Sequence, residues 1–269
     1  MPRCAALLPF IACLGLLGVA TGAAAQPAPG LPKNVRLAME GGYPPFSIVA
    51  PDGKVTGFDA DIAAEICRRI QVPCTQVQVE FDAMIPSLRA KKVDAIVASM
   101  SITPERRKVV AFTDKYYSTP ARVVTRAGAK FEISPEGLKG RRIGVQRNTI
   151  HDRYATATFK GSEIVRYSKQ DEVFLDLVNG RIEATLADVV AADQGFLKTP
   201  KGQGFAMRGP SYDDPAFFGI GAGIALRKED TALLQAMNAA LAALRADGTY
   251  KKLNDKYFSF DIYGADIKK

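Results

Sequence analysis

The heptapeptide Glu40-Gly41-Gly42-Tyr43-Pro44-Pro45-Phe46 joins a carboxylate and an aromatic ring through two glycines and two prolines. The glycines permit a tight turn and the prolines stiffen its exit, so Glu40 and Tyr43 are expected to project from a rigid mouth. A turn with a solvated Glu40 and a core Tyr43 is the competing arrangement. In Ser99-Met100-Ser101-Ile102-Thr103-Pro104-Glu105-Arg106, Thr103 reads as an N-cap and Pro104 as the first residue of a helix. A guanidinium in that first turn opposes the helix dipole. Arg106 makes sense there if it answers an anion, because its planar fork matches a carboxylate; Arg106 and Arg107 as two solvated residues fit the composition as well.

Asn148-Thr149-Ile150 precedes another helical stretch, whose free N–H groups can receive the same anion. Asp188 follows an apolar run and offers a carboxylate on the opposite wall, or else caps the next helix. Nucleophilic catalysis has no support in these residues: the single histidine is His151, and neither a second pair of cysteines nor a phosphate loop occurs. The pattern points to binding without turnover, and no cofactor or metal is expected.

The elements that must carry these residues alternate between strand and helix. Residues 35–39 read as a strand, 58–70 as a helix with Ile62, Ile66 and Ile70 on one face, and 77–79 as a strand. Asp82 is expected to cap a helix through Leu88, and 93–98 to form a strand buried on both faces. The same order restarts after Tyr117, with strands over 142–145, 164–167 and 182–186 and helices over 149–159 and 171–178, the latter ended by Asn179-Gly180. Helices over 229–245 and after Gly248 close the chain. Two tandem α/β units, each with a mainly parallel sheet, follow from this order. Open α/β sheets bind ligands beyond the carboxyl ends of their strands. Segments 40–43, 80–82, 98–101, 146–151 and 187–188 should therefore line a cleft between the two sheets.

The first residues run from Arg3 through an apolar stretch to Ala23-Ala24-Ala25, the pattern of a secretory signal cleaved after Ala25. Cys4 and Cys13 would leave with it, and Cys67 and Cys74, a short loop apart in an exported chain, are expected to join; two buried thiols are the other reading. Without Arg3, 35 Lys and Arg stand against 28 acids, a formal charge of +7. These cations are scattered among acids without a basic helix or aromatic-interleaved stripe, so neither nucleic acid nor membrane insertion of the mature chain is expected.

At the quoted segments the chain resembles the periplasmic lysine/arginine/ornithine-binding and histidine-binding proteins, solute-binding family 3 receptors of ABC importers for polar amino acids. The likeness rests on Gly57-Phe58-Asp59, Phe81-Asp82-Ala83-Met84-Ile85-Pro86-Ser87-Leu88, Lys91-Lys92-Val93-Asp94-Ala95-Ile96, Ser99 to Thr103, Gly195-Phe196-Leu197 and Asp247-Gly248-Thr249-Tyr250, and spans nearly the whole mature chain. It implies the two-lobed type II periplasmic binding protein fold, with a signal at 1–25, one lobe from 26–118 and 219–269, and the other from 119–218. Hinges are expected near 118–121 and 215–219. The resemblance further implies a periplasmic monomer that delivers its ligand to an inner-membrane permease.

Carried over residue by residue, the resemblance gives Arg106 the ligand α-carboxylate, helped by the N–H groups of Thr149 and Ile150. Asp188 takes the α-ammonium with the backbone and hydroxyls around Ala98, Ser99 and Ser101. Tyr43 and Phe81 sandwich the aliphatic stem, Glu40 meets a distal cation, and the family's cysteine pair corresponds to Cys67 and Cys74. One positive and two negative side chains match a ligand of net charge +1, and a neutral amino acid would leave Glu40 unpaired at about 2–5 kcal/mol.

The departures are Glu40 where close relatives carry Asp, Asn148-Thr149-Ile150 in place of Gly-Ser/Thr-Thr, and His151 where relatives often carry Gln. His151 is either a ligand contact or a helix-surface residue. Glu40-Gly41-Gly42-Tyr43 also resembles opine-binding relatives, and some relatives of this fold are cyclohexadienyl dehydratases. A sensory receptor would continue into a membrane segment and signalling domain, which a chain ending at Lys269 is expected to lack.

Overall fold

The strands Val35–Met39 and Ala184–Asp188 are buried along almost their whole length, the pattern of strands covered on both faces. In the computed structural model, which describes residues 1–2 and 30–264, each lies inside a five-stranded sheet. The expected signal and its cleavage point after Ala25 fall within residues 3–29, outside the described ones.

The chain opens with β1 (Val35–Met39), β2 (Gly42–Tyr43), β3 (Ser47–Val49) and β4 (Val55–Thr56), then α1 (Phe58–Ile70) and β5 (Cys74–Gln78). Next come α2 (Phe81–Arg89), β6 (Ala95–Ile96), α3 (Pro104–Arg107) and β7 (Ala111–Tyr117). The middle is built from β8 (Ala121–Arg126), β9 (Arg142–Gln146), α4 (Ile150–Thr158), β10 (Glu163–Tyr167), α5 (Gln170–Val178), β11 (Ala184–Asp188) and α6 (Val189–Ala192). After β12 (Phe205–Tyr212) and α7 (Pro215–Phe218), the strand β13 (Ala222–Leu226) and the helices α8 (Thr231–Ala246) and α9 (Thr249–Tyr257) complete the described fold.

The first sheet has the order β5-β1-β6-β13-β7 and the second β10-β9-β11-β8-β12. Passage from the first to the second runs through residues 118–120, and the return through 213–221. In each sheet four strands run the same way and one, β13 or β8, runs against them, so each sheet is mixed with a single reversed strand. The antiparallel members, β7 with β13 and β8 with β12, flank the two passages between the sheets. Ile62, Ile66 and Ile70 of α1 pack with Val35 and Leu37 of β1 and Leu241 of α8 in one core.

Several expected boundaries move: the strand expected over 77–79 is β5 (Cys74–Gln78), and three further shifts lie nearer the cleft. Phe81 is already helical and Glu80 is the N-cap, so Asp82 does not cap α2 but stands in its first turn, where an acid still favours the dipole. The run 93–98 is buried, yet ladder pairing holds only at Ala95 and Ile96 because the chain turns off the sheet at Ser99, whose φ is 52°. The amides of Asp94 and Val97 still donate to the carbonyls of Arg36 and Ala38 at 2.8 and 2.9 Å. The strand expected over 182–186 begins at Ala184, where pairing with both β8 and β9 starts, although the Glu183 amide already donates to the Arg142 carbonyl at 2.9 Å. Asp188 ends β11 instead of following it.

Cys67 near the end of α1 is bonded to Cys74 at the start of β5, seven positions away. Closing so short a loop removes about 2 kcal/mol of unfolded-state entropy, so Cys67→Ser/Cys74→Ser should lower the ligand-free thermal midpoint by roughly 5 °C. An unchanged melt would show that the bridge constrains nothing the unfolded chain does not already restrict. Among the described residues no helix is long and apolar enough to cross a membrane.

Candidate ligand-binding cleft

The carboxyl ends of β1, β9 and β11 meet at one cavity of about 240 Å³ between the sheets. Glu40, Tyr43, Phe81, Ala98, Ser99, Ser101 and Arg106 line it from the first sheet and its connections. Thr149, Ile150, His151 and Asp188 line it from the second, so all eleven residues singled out in the sequence face one space.

Arg106 is 9% exposed in the short helix α3, whose N-cap Thr103 accepts the Arg106 amide at 3.2 Å. Its guanidinium lies 5.4 Å from the centre of the Phe81 ring and donates to the carbonyls of Ser101 at 3.0 Å and Asn148 at 3.3 Å. The solvated alternative therefore fails for Arg106 and holds for Arg107, which is exposed. Among the described residues the partners of Arg106 are carbonyls, not carboxylates. Burial, then repulsion from Arg153, pushes the guanidinium down to about 10 against the attraction of Glu105, which leaves it charged at neutral pH. A buried charge lacking a counter-charge is costly, and an anion in the cavity would offset that cost.

Asn148 has φ 58°, a left-handed conformation that asparagine tolerates better than most side chains. Thr149 then caps α4, and its hydroxyl is consumed locally: it donates to the Gln146 carbonyl at 2.7 Å and accepts the Asp152 amide at 3.2 Å. What remains for an anion is the backbone N–H of the first turn, which has no partner inside a helix. His151 is 6% exposed, so it is not a helix-surface residue; its ring lies 6.2 Å from that of Phe218. Burial, reinforced by Arg106, pushes His151 down to about 3, and it faces the cavity as a neutral imidazole.

Asp188 both caps the next helix and lines the cavity. Its Oδ1 caps α6 by accepting the amides of Val190 and Ala191 at 2.8 and 3.0 Å, while its Oδ2 accepts the Thr119 hydroxyl. Burial pushes its pKa up, and these hydrogen bonds oppose the shift. Ser99 is tied into the protein on its donor side: its hydroxyl donates to Asp59 at 2.9 Å and its amide to the Tyr116 hydroxyl at 3.0 Å, which leaves the hydroxyl lone pairs as acceptors. Tyr116 in turn donates to the other oxygen of Asp59 at 2.8 Å. The Ser99 hydroxyl proton is thus committed to Asp59, a fully buried acid pushed up to about 7 by desolvation.

Glu40 is 5% exposed and is likewise pushed up to about 7 by burial, opposed chiefly by a hydrogen bond from Gln146 Nε2 to its Oε1 at 2.6 Å. The Tyr43 ring stacks on Phe46 at 5.7 Å, and Phe46 on Tyr117 at 4.6 Å, so the aromatic core continues to the cavity wall.

Residues 35–260 match the family of bacterial extracellular solute-binding proteins, family 3. The chain belongs to that family. An L-arginine-binding protein of Pseudomonas aeruginosa is 49% identical over 255 residues, covering 94% of this chain and 98% of its own length. A histidine-binding periplasmic protein of Escherichia coli is 46% identical over 236 residues, covering 87% and 91%. The structure of an arginine-specific periplasmic binding protein of Salmonella typhimurium is similar with a TM-score of 0.78 and 36% identity, covering 85% of this chain and all of that one.

Within this family 3 cleft, sequence reasoning passed over Thr119, Gln146, Asp213 and Phe218, which also line the cavity. Thr119 and Phe218 fall in segments read only as hinges. Gln146 opens the segment expected to line the cleft, but a neutral amide suggests no charge pairing until its carboxylate partner is in view. Gly195 sits where a Cβ would stand 2.9 Å from the Pro44 carbonyl, a close approach between the two halves of the chain that favours glycine.

Proposed function

We propose that this chain is the extracytoplasmic binding component of an ABC importer and that its ligand is an amino acid with a cationic side chain, arginine, lysine or ornithine before histidine. The observation that carries the reading is one buried cation, Arg106, and two buried carboxylates, Glu40 and Asp188, around a single cavity. The ligand α-carboxylate answers Arg106 and the N–H groups of Thr149 and Ile150; the α-ammonium answers Asp188; the distal cation answers Glu40. Tyr43 and Phe81 flank the aliphatic stem. Each charge that leaves water thus finds an opposite one.

Arg106 and Glu40 come from the first sheet, and Asp188 and the α4 amides from the second, so the ligand bridges the two halves and favours closure. The assigned residues bind and orient an amino acid and leave it unchanged. The similar proteins named above are binding proteins, which supports the same view. The closed form is the one expected to dock on an inner-membrane permease from the periplasmic side.

Calorimetric titration against arginine, lysine, ornithine, histidine, alanine and an opine tests the reading, with thermal melts alongside. At pH 8 or above, arginine or lysine at a hundredfold excess over Kd should stabilise the fold by about 2.7 kcal/mol, and alanine at the same concentration should move the midpoint far less. Equal shifts with arginine and alanine would remove the charge-matching argument.

A further inference from the structure

We propose that Gln146 is a specificity-determining residue: it holds one oxygen of Glu40 from the opposite wall and turns its own amide oxygen into a second acceptor for the ligand's distal cation. The proposal rests on the reading of the cleft as a site for basic amino acids.

Gln146 ends β9 and is 3% exposed. Its Nε2 donates to Glu40 Oε1 at 2.6 Å and to the Ser168 carbonyl at 3.1 Å. Both partners are acceptors, so the nitrogen must face them and the orientation of the carboxamide is fixed. With both amide hydrogens used, Oε1 is the polar atom left, and among the described residues no protein group donates to it. Glu40 keeps Oε2. A distal ammonium or guanidinium can therefore bridge one carboxylate oxygen and one amide oxygen that come from different sheets. A neutral imidazole offers a single N–H and can serve only one of them.

Gln146 also decides how readily Glu40 accepts a proton. The charged groups facing Glu40 are Asp171 and Asp82, which disfavour its ionised form, and Lys169, which favours it; the Gln146 hydrogen bond outweighs each of these. Removing that bond leaves desolvation less opposed.

The test uses Gln146→Met, close in shape but without N–H or C=O, and Gln146→Glu, which keeps an oxygen and loses the donors. Arginine, lysine and histidine are titrated against wild type and both variants from pH 6 to 9, and the Glu40 carboxyl of the ligand-free proteins is followed by carbon NMR. In both variants the Glu40 titration and the pH midpoint of arginine binding should move up by about one unit. In Gln146→Met, arginine and lysine affinity at pH 7 should fall about tenfold or more, and histidine affinity by less. Either variant alone carries the pH arm if the other does not fold. An unmoved Glu40 titration, or an equal loss for all three ligands, overturns the proposal alone. A wild-type protein that binds none of the basic amino acids overturns it together with the reading beneath it.

Discussion

Arg106→Met should abolish measurable amino acid binding, with a loss on the order of 3–5 kcal/mol, or roughly 200- to 5000-fold in Kd. The guanidinium is buried against Phe81 and tied to the Ser101 and Asn148 carbonyls, so it is already oriented before any ligand arrives. The α-carboxylate would lose its only cationic partner in the cavity lining, and the amides at the start of α4 could not replace a full charge. Ligand-free stability should respond in the opposite sense. Methionine fills the space over Phe81 without a buried charge, so the empty protein should melt at the same temperature or higher. Calorimetry and melting of the one variant separate these effects: lost binding with an intact melt supports the assignment, whereas arginine affinity within tenfold of wild type places the carboxylate elsewhere. Arg106→Lys should fall between, since a point charge cannot reach both carbonyls as the fork does.

The order of elements was legible because burial on both faces and helical periodicity leave marks in every residue of a segment. The cleft was legible for a related reason: segments just after the strands gather at the same end of each sheet, although some of their residues, such as Glu80, stay outside the cavity. Hydrogen-bond commitments were not. Ser99 looks like a free hydroxyl in the chain, and only the fold brings Asp59, forty positions earlier, to accept its proton. Gln146 and Glu40 are separated by 106 positions and lie in different sheets, so no local pattern couples them. Asp188 was ambiguous between cap and ligand contact because a carboxylate has two oxygens, and the fold gives the capping amides one of them and Thr119 the other. The start of β11 at Ala184 has the same origin, since it is set by pairing with β8 and β9, which a window along the chain does not contain.

Selectivity for basic over neutral amino acids should rise with pH, and Glu40 is the reason. With its carboxyl pushed up to about 7 by burial, half the ligand-free molecules carry a neutral Glu40 at that pH. A neutral ligand then meets little penalty, because the carboxyl can keep its proton at almost no cost. This narrows the gap of 2–5 kcal/mol that an ordinary, fully ionised glutamate would impose. Each pH unit above 7 adds about 1.4 kcal/mol to the cost of protonating Glu40, so discrimination should grow about tenfold per unit. Below 7 the ionised fraction falls, and arginine or lysine affinity should drop about tenfold between pH 8 and pH 6. Glu40→Gln should erase that slope and cost roughly 2–3 kcal/mol of arginine affinity at pH 8.

The ligand-free melt provides an independent check with its own sign. A carboxyl whose folded pKa of about 7 exceeds its unfolded 4.5 binds an extra proton in the folded state between those values, so its contribution to stability falls as pH rises through that window, by about 3 kcal/mol in all. Asp59, also raised to about 7, acts in the same direction, whereas His151, lowered to about 3, acts oppositely below pH 6.5. The difference between wild type and Glu40→Gln cancels the latter two groups. Wild type should therefore lose stability relative to the variant from pH 4.5 to 7, and saturating arginine should remove the difference in slope by lowering the Glu40 pKa toward its unfolded value. A pH-independent difference would mean that Glu40 is solvated and ionised throughout, and the distal cation would then need another partner.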